Sequence, residues 1–508
     1  MKIQERKAQL LVSTLLVGAL SVGAHISVQA QDGNEQELLE LSRSGETAAA
    51  LDLIGRRTDV NVSEADGTTA LHWAVYYQDY DLVRRLIRAD ANVHARNEYG
   101  STPLQQAAIS ANAEILELLL DAGADANELG ADGQTPLMIV SRTDAIESAR
   151  ILLDAGADPN AVEQWRGQTA LMWASAQKQP EMVKLLLDAG ADPDAQSLPN
   201  NWERQVTAEP RMKILPVGGF TPLLYATREG CPECVRHLVN AGADLNKADP
   251  DGTAPMLMAT LNAKWDSARV LLEAGANVDK WDIYGRSPLY SAVDYNTLPH
   301  GGRADRLSAD QTTSLEFIEL LLDAGANPNL QLKLFPPYRS LGADRGADGL
   351  LRTGVTPLFR AARGADVEAM KLLLAHGARV DLTNENGVTV LMVSTGYRQS
   401  GIDTRGRFRT EEEAYEATKV LLEAGDIDID TRDEATGQTA LFGAATIGWT
   451  SLVELLVEHG ADPTVEDNFG NTVVDAAMGR AGMFGRGAGG DQHLDTAAVI
   501  EQLIAQRQ

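Results

Sequence analysis

The chain has 508 residues, with 44 Lys and Arg against 72 Asp and Glu, and a formal net charge of −28 at pH 7. This acidity argues against nucleic acid and anionic membrane surfaces as ligands, because both would repel the chain. A basic protein partner is compatible with it, although acidic solvated surfaces alone would explain the charge.

The N-terminal segment up to Ala30 is typical of a secretory signal peptide. Lys2, Arg6 and Lys7 form a basic start, Leu10–Ala24 is an uncharged apolar run, and Val28–Ala30 has the small-x-small pattern of a cleavage site. The apolar run is short for a membrane span, which needs about 20 residues. We therefore expect cleavage after Ala30, no membrane insertion of the mature chain, and a periplasmic or secreted location.

A phrase close to Leu-Leu-Asp-Ala-Gly-Ala-Asp then recurs along the chain. It begins at Leu119 and again at Leu152, with its glycine at Gly123 and Gly156. Ten such phrases are present, counting the first, in which Asp90 holds the place of the glycine. Gly123 and Gly156 are 33 residues apart, and the longer intervals elsewhere contain insertions. A basic period in the range of about 20–50 residues predicts structural repeats stacked into a solenoid.

A second phrase, close to Gly-x-Thr-Pro-Leu, opens each unit. Examples are Gly100–Leu104, Gly133–Leu137 and Gly354–Leu358. The Gly permits a turn with positive φ, the Thr caps the helix that follows, and Pro suits its first position. The Gly of the closing phrase ends a second helix in the left-handed conformation. The two phrases therefore predict two helices in each unit.

A turn, two helices and a hairpin within one period of this length resemble the ankyrin repeat. Gly67–Ala74, which reads Gly-Thr-Thr-Ala-Leu-His-Trp-Ala, also carries the histidine of that family at His72. The resemblance implies an all-α ankyrin-repeat solenoid with short β-hairpin fingers. About ten clear repeats would lie between degenerate capping units at the two ends.

The register of the repeats divides the chain into segments. After the signal peptide (1–30) we predict a degenerate N-terminal capping repeat (31–65), repeats (66–197), a finger insertion (198–218), repeats (219–331) with an inter-helix insertion (297–313), a second finger insertion (332–353), repeats (354–467) with an inter-helix insertion (397–412), and a degenerate C-terminal repeat with a Gly-rich loop (468–508). Long loops on a rigid scaffold are often functional. Both packing on the solenoid and contact with a partner remain open for these insertions.

Motifs that carry chemistry are sparse. Cys231 and Cys234 form a Cys-Pro-Glu-Cys sequence, which leaves structural cysteines, a redox pair and a metal site as alternatives. The repeat register favours structural cysteines, because it places Cys234 at a core position. The sequence has no HExxH, no Gly-x-Ser-x-Gly, and no P-loop ending in Gly479–Gly490. We predict no catalytic residue, no cofactor and no metal.

The resemblance also implies where a partner would bind, namely a concave palm formed by the first helices, together with the fingers. Tyr and Arg dominate binding hot spots. The candidate protein-binding residues on the palm are Tyr76, Tyr77, Arg142, Arg228, Tyr295 and Arg363. The candidates in the finger insertions are Trp202, Phe335 and Tyr338. Trp73 and Trp173 are expected to pack inside their units.

The leading hypothesis is a monomeric, non-enzymatic scaffold of the periplasm or secreted space that binds an unknown protein across palm and fingers. The alternative is an accessory subunit of an exported redox enzyme, which would involve Cys231, Cys234 or an insertion. A hydrolase with a site in the inserted loops is the weakest of the three hypotheses.

Overall fold

A computed structural model of the protein describes residues 33–54, 58–201, 205–208, 211–214, 217–297, 309–334, 350–398, 409–425, 427–480 and 492–507. The chain divides into two compact units, Met1–Ala124 and Asp125–Gln508. Within each unit the described residues form helices that alternate with hairpin turns, which we call fingers. This confirms the predicted all-α repeat architecture.

The first unit contains three helix pairs among its described residues. In chain order its helices are α1 (Gly33–Ser44), α2 (Thr47–Leu53), α3 (Ala70–Tyr76), α4 (Tyr80–Arg88), α5 (Pro103–Ser110) and α6 (Ala113–Asp121). The first helices α1, α3 and α5 pack on one another in sequence, and the second helices α2, α4 and α6 do the same. The unit is therefore built as two layers.

The second unit repeats this arrangement with nine helix pairs in its described part. Its helices are α7 (Pro136–Val140), α8 (Ile146–Asp154), α9 (Ala170–Ala176), α10 (Pro180–Asp188), α11 (Pro222–Glu229), α12 (Pro232–Asn240), α13 (Pro255–Leu261), α14 (Trp265–Glu273), α15 (Pro288–Thr297), α16 (Ser314–Asp323), α17 (Pro357–Arg363), α18 (Val367–Ala375), α19 (Val390–Ser394), α20 (Glu411–Glu423), α21 (Ala440–Ile447), α22 (Thr450–Glu458), α23 (Val473–Ala477) and α24 (Leu494–Arg507). First helices again pack on first helices and second helices on second helices.

The Thr-Pro phrases start the first helices as the sequence predicts. Thr135 is the N-cap of α7, where its hydroxyl accepts the backbone N–H of Met138 at 3.3 Å, and Pro136 follows at the first helical position. Thr221 and Pro222 have the same roles in α11. The hydroxyl satisfies one of the backbone donors that a helix N-terminus leaves unpaired, which contributes about 1 kcal/mol.

The closing phrase ends each second helix through backbone conformation. Gly156 has φ 87°, and nothing lies within 4 Å of the position that a Cβ would occupy there. The glycine is therefore needed for its left-handed conformation and not for space. Asp90 adopts the same conformation at φ 65°, so this phrase tolerates a residue other than glycine.

The Asp and Asn residues after the closing glycine link neighbouring repeats. Asn160 Oδ1 accepts the backbone N–H of Asp192 at 2.7 Å, and its Nδ2 donates to the Gly190 carbonyl at 3.0 Å. Asp158 Oδ1 accepts the N–H of Asn160 at 2.8 Å. These side chains are hydrogen-bonding residues of the fingers, which accounts for their recurrence.

The insertions interrupt the regular repeat either in a finger or between the two helices of a pair. Strands β1 (Gln205–Ala208) and β2 (Arg211–Ile214) form an antiparallel hairpin in the finger between α10 and α11, with Gln205 opposite Ile214. The segments 297–313 and 397–412 lie between the helices of their pairs, α15–α16 and α19–α20. The second of these is anchored by Arg409, whose buried guanidinium donates to the carbonyls of Ala362 and Val393 at 3.3 and 3.2 Å.

Candidate protein-binding surfaces

An aromatic cluster lies at the end of α3 in the first unit. Trp73 and Tyr76 lie on α3 itself, and Tyr77 is its C-cap. The ring centroids of Tyr76 and Tyr77 are 5.2 Å apart with the rings at 80°, and those of Trp73 and Tyr76 are 5.8 Å apart at 86°. Edge-to-face contacts of this kind favour one arrangement of the three rings.

The cluster is fixed in place and still exposed. The Tyr77 hydroxyl donates to the Arg43 carbonyl at 2.8 Å, and Trp73 Nε1 donates to Glu64 Oε1 at 3.0 Å. Tyr76 and Tyr77 nevertheless remain 45% and 47% exposed. Trp73 is partly exposed rather than buried in the core. Large apolar rings held in this way are suited to anchoring a protein partner.

Arg142 in the second unit stacks on an aromatic ring from the next repeat. Its Cζ lies 4.0 Å from the ring centroid of Trp173, which is partly exposed and not the core residue that we expected. Burial lowers the pKa of the Arg142 guanidinium, while the charges of Asp132 and Glu163 act in the opposite direction. Arg142 Nε and Trp173 Nε1 have no hydrogen-bond partner among the described residues. Both atoms are buried, so neither donor is presented to solvent.

Arg228 at the end of α11 is also held by aromatic rings. Its Cζ lies 5.1 Å from the centroid of Tyr225 and 5.4 Å from that of Phe220. Arg228 Nη2 forms an ion pair with Glu229 at 2.8 Å, and both side chains are 37% exposed. The neighbouring carboxylate partly neutralises the guanidinium, so this palm position is less cationic than the sequence alone predicts.

The last two palm candidates contribute less surface than expected. Tyr295 is partly buried, with its ring centroid 5.3 Å from that of Trp265. Arg363 is only 8% exposed, and its Nη1 donates to the Tyr397 carbonyl at 3.1 Å. The expectation of an exposed Arg363 is therefore wrong. Tyr397, at the start of the insertion 397–412, contacts Arg363 through this hydrogen bond and is itself buried.

The fingers hold the predicted contact residues and also exposed residues that the prediction did not include. The predicted contact residues Trp202, Phe335 and Tyr338 lie outside the described residues. Sequence reasoning missed Trp165, whose side chain is 79% exposed in a finger turn, as well as Ile283 and Leu334 in later fingers. The signal was available, since Trp165 and Ile283 stand two residues before a finger glycine, where Glu385 stands in a later unit.

Cys231 and Cys234 form a disulfide at the start of α12. Cys231 is the N-cap, and its Sγ accepts the backbone N–H of Cys234 at 3.2 Å. The two residues are 6% and 0% exposed. Thiol–disulfide exchange requires a thiolate to reach a sulfur atom, and this burial opposes it. The geometry favours the structural role among the three alternatives.

His72 has a structural role in the helix cap of α3. The backbone N–H of Thr69 donates to His72 Nδ1 at 3.2 Å, so Nε2 carries the proton and donates to the Ser101 carbonyl at 3.2 Å. Burial lowers the pKa of His72. Within the described ranges, no group of three or more His, Cys, Asp or Glu residues is arranged to hold a metal ion. Nor does any helix of that part combine the length and the apolar composition that crossing a membrane requires.

Comparison with known proteins assigns the repeats. The family model described as ankyrin repeats (3 copies) matches residues 38–129, 123–197, 223–332 and 306–402, and the model of a single ankyrin repeat matches residues 436–468. Over 132 residues the chain is 33% identical to ankyrin repeat and SAM domain-containing protein 6 of Danio rerio, covering 25% of this chain and 18% of that protein. Over 127 residues it is 35% identical to ankyrin repeat and SOCS box protein 16 of Mus musculus, covering 24% of this chain and 25% of that protein.

Two further known proteins are similar to parts of the chain. Over 178 residues the chain is 31% identical to the nuclear factor NF-kappa-B p105 subunit of Gallus gallus, covering 31% of this chain and 16% of that protein. The matched segments thus span a quarter or less of each of these three relatives. The crystal structure of the human ASB11 ankyrin repeat domain is similar with a TM-score of 0.38 and 24% identity, covering 47% of this chain and 98% of that one.

Ankyrin repeat domains generally mediate protein–protein interaction and are typically non-enzymatic. The family models match well over half of the residues, and the chain therefore belongs to the ankyrin repeat family.

Proposed function

We propose that this protein is a non-enzymatic, monomeric scaffold that binds a protein partner through its palm and fingers. The observation that carries the proposal is the aromatic cluster at the end of α3. Tyr76 is 45% exposed, although burying its ring would contribute on the order of 1.5–3 kcal/mol. A large aromatic side chain that is held by ring contacts and left in solvent is a common feature of protein interfaces.

The partner is proposed to be encountered in the periplasm or the secreted space. The basis is the sequence up to Ala30, with a basic start, the apolar run Leu10–Ala24 and the cleavage pattern Val28–Ala30. Mass spectrometry of the mature protein in an osmotic-shock fraction tests this location. A mature N-terminus at Gln31 is expected, and a full-length chain in the cytoplasmic fraction would contradict the location.

Affinity capture from the exported fraction tests the binding function. Tyr76→Ala is expected to weaken capture of the partner by about 30-fold, the effect of losing a hot spot of roughly 2 kcal/mol. Tyr80→Ala is the matched control, because Tyr80 is 37% exposed but lies on the second helix α4. Helicity and melting temperature should change little in either variant. Equal loss of capture in both variants, or in neither, would argue against the palm as the site.

A further inference from the structure

The tryptophan of the aromatic cluster has a counterpart in the second unit. Trp73 and Trp173 stand at the same place, four residues after the N-cap of α3 and of α9, and both are partly exposed. The two repeats between them have Gln106 and Ile139 there, so stacking of the repeats does not require an indole. A tryptophan at this place is therefore a feature of two individual repeats and not of the fold.

In the second unit an arginine of the preceding repeat covers this tryptophan. The Cζ atom of Arg142 lies 4.0 Å from the ring centroid of Trp173. Burial lowers the pKa of Arg142, and the charges of Asp132 and Glu163 raise it. A guanidinium that stacks on an aromatic ring beside carboxylates gains both cation–π and charge attraction. The chain itself thus contains a guanidinium site built on this tryptophan.

In the first unit the ring and the carboxylate are present without a stacked cation. Trp73 Nε1 donates to Glu64 Oε1 at 3.0 Å. Glu64 precedes its tryptophan by nine residues, and Glu163 precedes the tryptophan of the second unit by ten. Among the described residues, no Arg or Lys forms an ion pair with Glu64, and no guanidinium lies over a ring of the cluster. The arrangement of the second unit therefore lacks its cation here.

Arg43 is the residue of the first unit that corresponds to Arg142, since it lies 99 residues, or three periods of 33, before it. Its side chain is exposed, and its backbone carbonyl accepts the Tyr77 hydroxyl at 2.8 Å. Tyr77 stacks beside Trp73, with 6.4 Å between the ring centroids and 29° between the planes. A tyrosine therefore stacks on the indole here, and Tyr76 and Tyr77 keep nearly half of their surface in solvent.

The surroundings of the cluster are acidic. Residues 33–124 contain 15 Asp and Glu against seven Arg and no Lys. Three of the arginines lie on α4, in the layer of second helices, namely Arg84, Arg85 and Arg88. The described first helices of this unit carry Arg43 and three glutamates of α1, and the finger before α3 adds Glu64 and Asp66. A positively charged ligand is therefore attracted to this side of the unit.

We propose that the aromatic cluster and Glu64 bind an arginine side chain of the partner protein. This proposal rests on the proposed protein-binding function and names the chemistry of the partner at the same site. The guanidinium stacks on the open rings of Tyr76 and Tyr77, and Glu64 supplies the opposite charge next to Trp73. Arginine is favoured over lysine, because its planar group stacks on aromatic rings and is less strongly hydrated than an ammonium group.

Charge complementarity favours this occupant over an apolar segment or a second copy of the chain. An apolar segment that covered the cluster would remove water from the Glu64 carboxylate without supplying a counter-ion, which is unfavourable. A second copy would bring two acidic surfaces together, since the chain carries a net charge of −28. A basic segment covers the exposed rings and pairs the carboxylate at the same time.

Four labelled peptides of Gly and Ser test the proposal with the full mature chain. They carry arginine, lysine, citrulline or leucine at two central positions, and citrulline has the shape of arginine without its charge. Fluorescence anisotropy is expected to show binding of the arginine peptide. The lysine peptide should bind about threefold more weakly, and the citrulline and leucine peptides about tenfold more weakly. Equal binding of the arginine peptide and either neutral peptide would overturn the proposal.

Two aromatic variants locate the binding site of the arginine peptide. Tyr76→Ala should weaken binding of the arginine peptide by about tenfold, because an open ring face is lost. Tyr80→Ala is the matched control, since Arg84 of the chain already lies over the Tyr80 ring, with its Cζ 5.5 Å from the ring centroid. This variant should bind as the unaltered protein does. An equal loss of binding in both variants would contradict the assignment to the cluster.

Three charge variants separate Glu64 from the acidity of the whole unit. Glu64→Gln should weaken binding of the arginine peptide by about fivefold at low salt and less at high salt. Glu117→Gln removes the same charge from an exposed position on the second helix α6, and should change binding by less than about twofold. Arg43→Gln should tighten binding by about twofold, because a like charge is removed. Equal effects of the two glutamate variants, or weaker binding by Arg43→Gln, would overturn the proposal.

Failure of this proposal is distinguishable from failure of the proposed function. If no peptide binds while Tyr76→Ala still weakens capture of a partner, the arginine is rejected and the binding function stands. If peptide binding and capture are both absent, both are rejected. Circular dichroism of every variant checks that the fold is retained, which is expected because all the substituted side chains are partly or fully exposed.

Discussion

The finger turn before α13 contains a carboxylate that should reduce stability at neutral pH. Asp249 Oδ1 accepts the backbone N–H groups of Asp251 and Thr253 at 3.0 and 2.8 Å. Burial raises the pKa of Asp249 from 3.8 to about 6, and the nearby charge of Asp251 acts in the same direction, while hydrogen bonds from Thr253 oppose the shift. Asn384 occupies the same place in a later finger and accepts two equivalent N–H groups at 3.0 and 3.1 Å without a charge.

The expected change follows from the direction of this shift. Because the pKa of Asp249 is higher in the folded than in the unfolded chain, its contribution to stability is complete below about pH 4. It is lost as the pH rises through about 6. The full shift corresponds to about 3 kcal/mol, and solvent screening at this partly exposed site lowers it to about 1–2 kcal/mol. Asp249→Asn should recover that amount at pH 7.5 and change little at pH 4.

Hydrogen exchange of α13 and α14 is the appropriate assay, because each repeat contacts only its neighbours and global unfolding need not be all-or-none. Protection in Asp249→Asn should exceed that of the unaltered chain at pH 7.5. Asp282→Asn is the matched control, since Asp282 holds the same kind of turn but forms a buried ion pair with Arg286. That variant should lose protection. A loss of protection in Asp249→Asn, or a gain of equal free energy at pH 4 and pH 7.5, would refute the reasoning.

Three further predictions concern stability and the cysteines. Cys231→Ser with Cys234→Val should cost roughly 2 kcal/mol, the loop-closure value for so short a loop, and should leave partner capture intact; lost capture with unchanged helicity would favour the redox alternative. Asp90→Gly should stabilise the first unit by about 0.5 kcal/mol in thermal melts, since φ 65° suits glycine better; a lower melting temperature would contradict this. Arg409→Ala should destabilise the second unit by about 3 kcal/mol, because buried carbonyls lose their donor; unchanged protection of α17 and α19 would show that water replaces it.

The repeat architecture could be predicted from the sequence because each repeat carries the same two phrases. The Thr-Pro start and the closing glycine act within their own repeat. Thr135 caps its helix and Gly156 adopts the left-handed conformation, as predicted. The recurring residues after the closing glycine were likewise interpretable, as Asn160 demonstrates. These local features do not depend on the conformation of distant parts of the chain. They could therefore be inferred without a structure.

The exposure of individual palm residues could not be predicted in the same way. Arg363 and Arg142 occupy equivalent places in their repeats, yet Arg363 is 8% exposed and Arg142 is only partly buried. The difference comes from Tyr397, which follows α19, is buried, and contacts Thr436 of the next repeat through its hydroxyl. Register gives the direction in which a side chain leaves its helix. Register does not give the path of an insertion in the following repeat. The insertion that begins at Tyr397 contacts Arg363 in this way.

The finger turns show the opposite case, because there the sequence departs visibly from the repeat. Trp165 and Ile283 are unusual because they are apolar at turn positions that need no apolar residue, and the buried core does not account for them. In a repeat protein the residues that repeat explain the fold, so those that differ from unit to unit are free to specify a partner. Comparing each finger with its neighbours would have separated Trp165 from the polar turns before any coordinates were known. For the insertions the same comparison is not possible, because they have no counterpart in the other units, and their contribution has to be measured by binding.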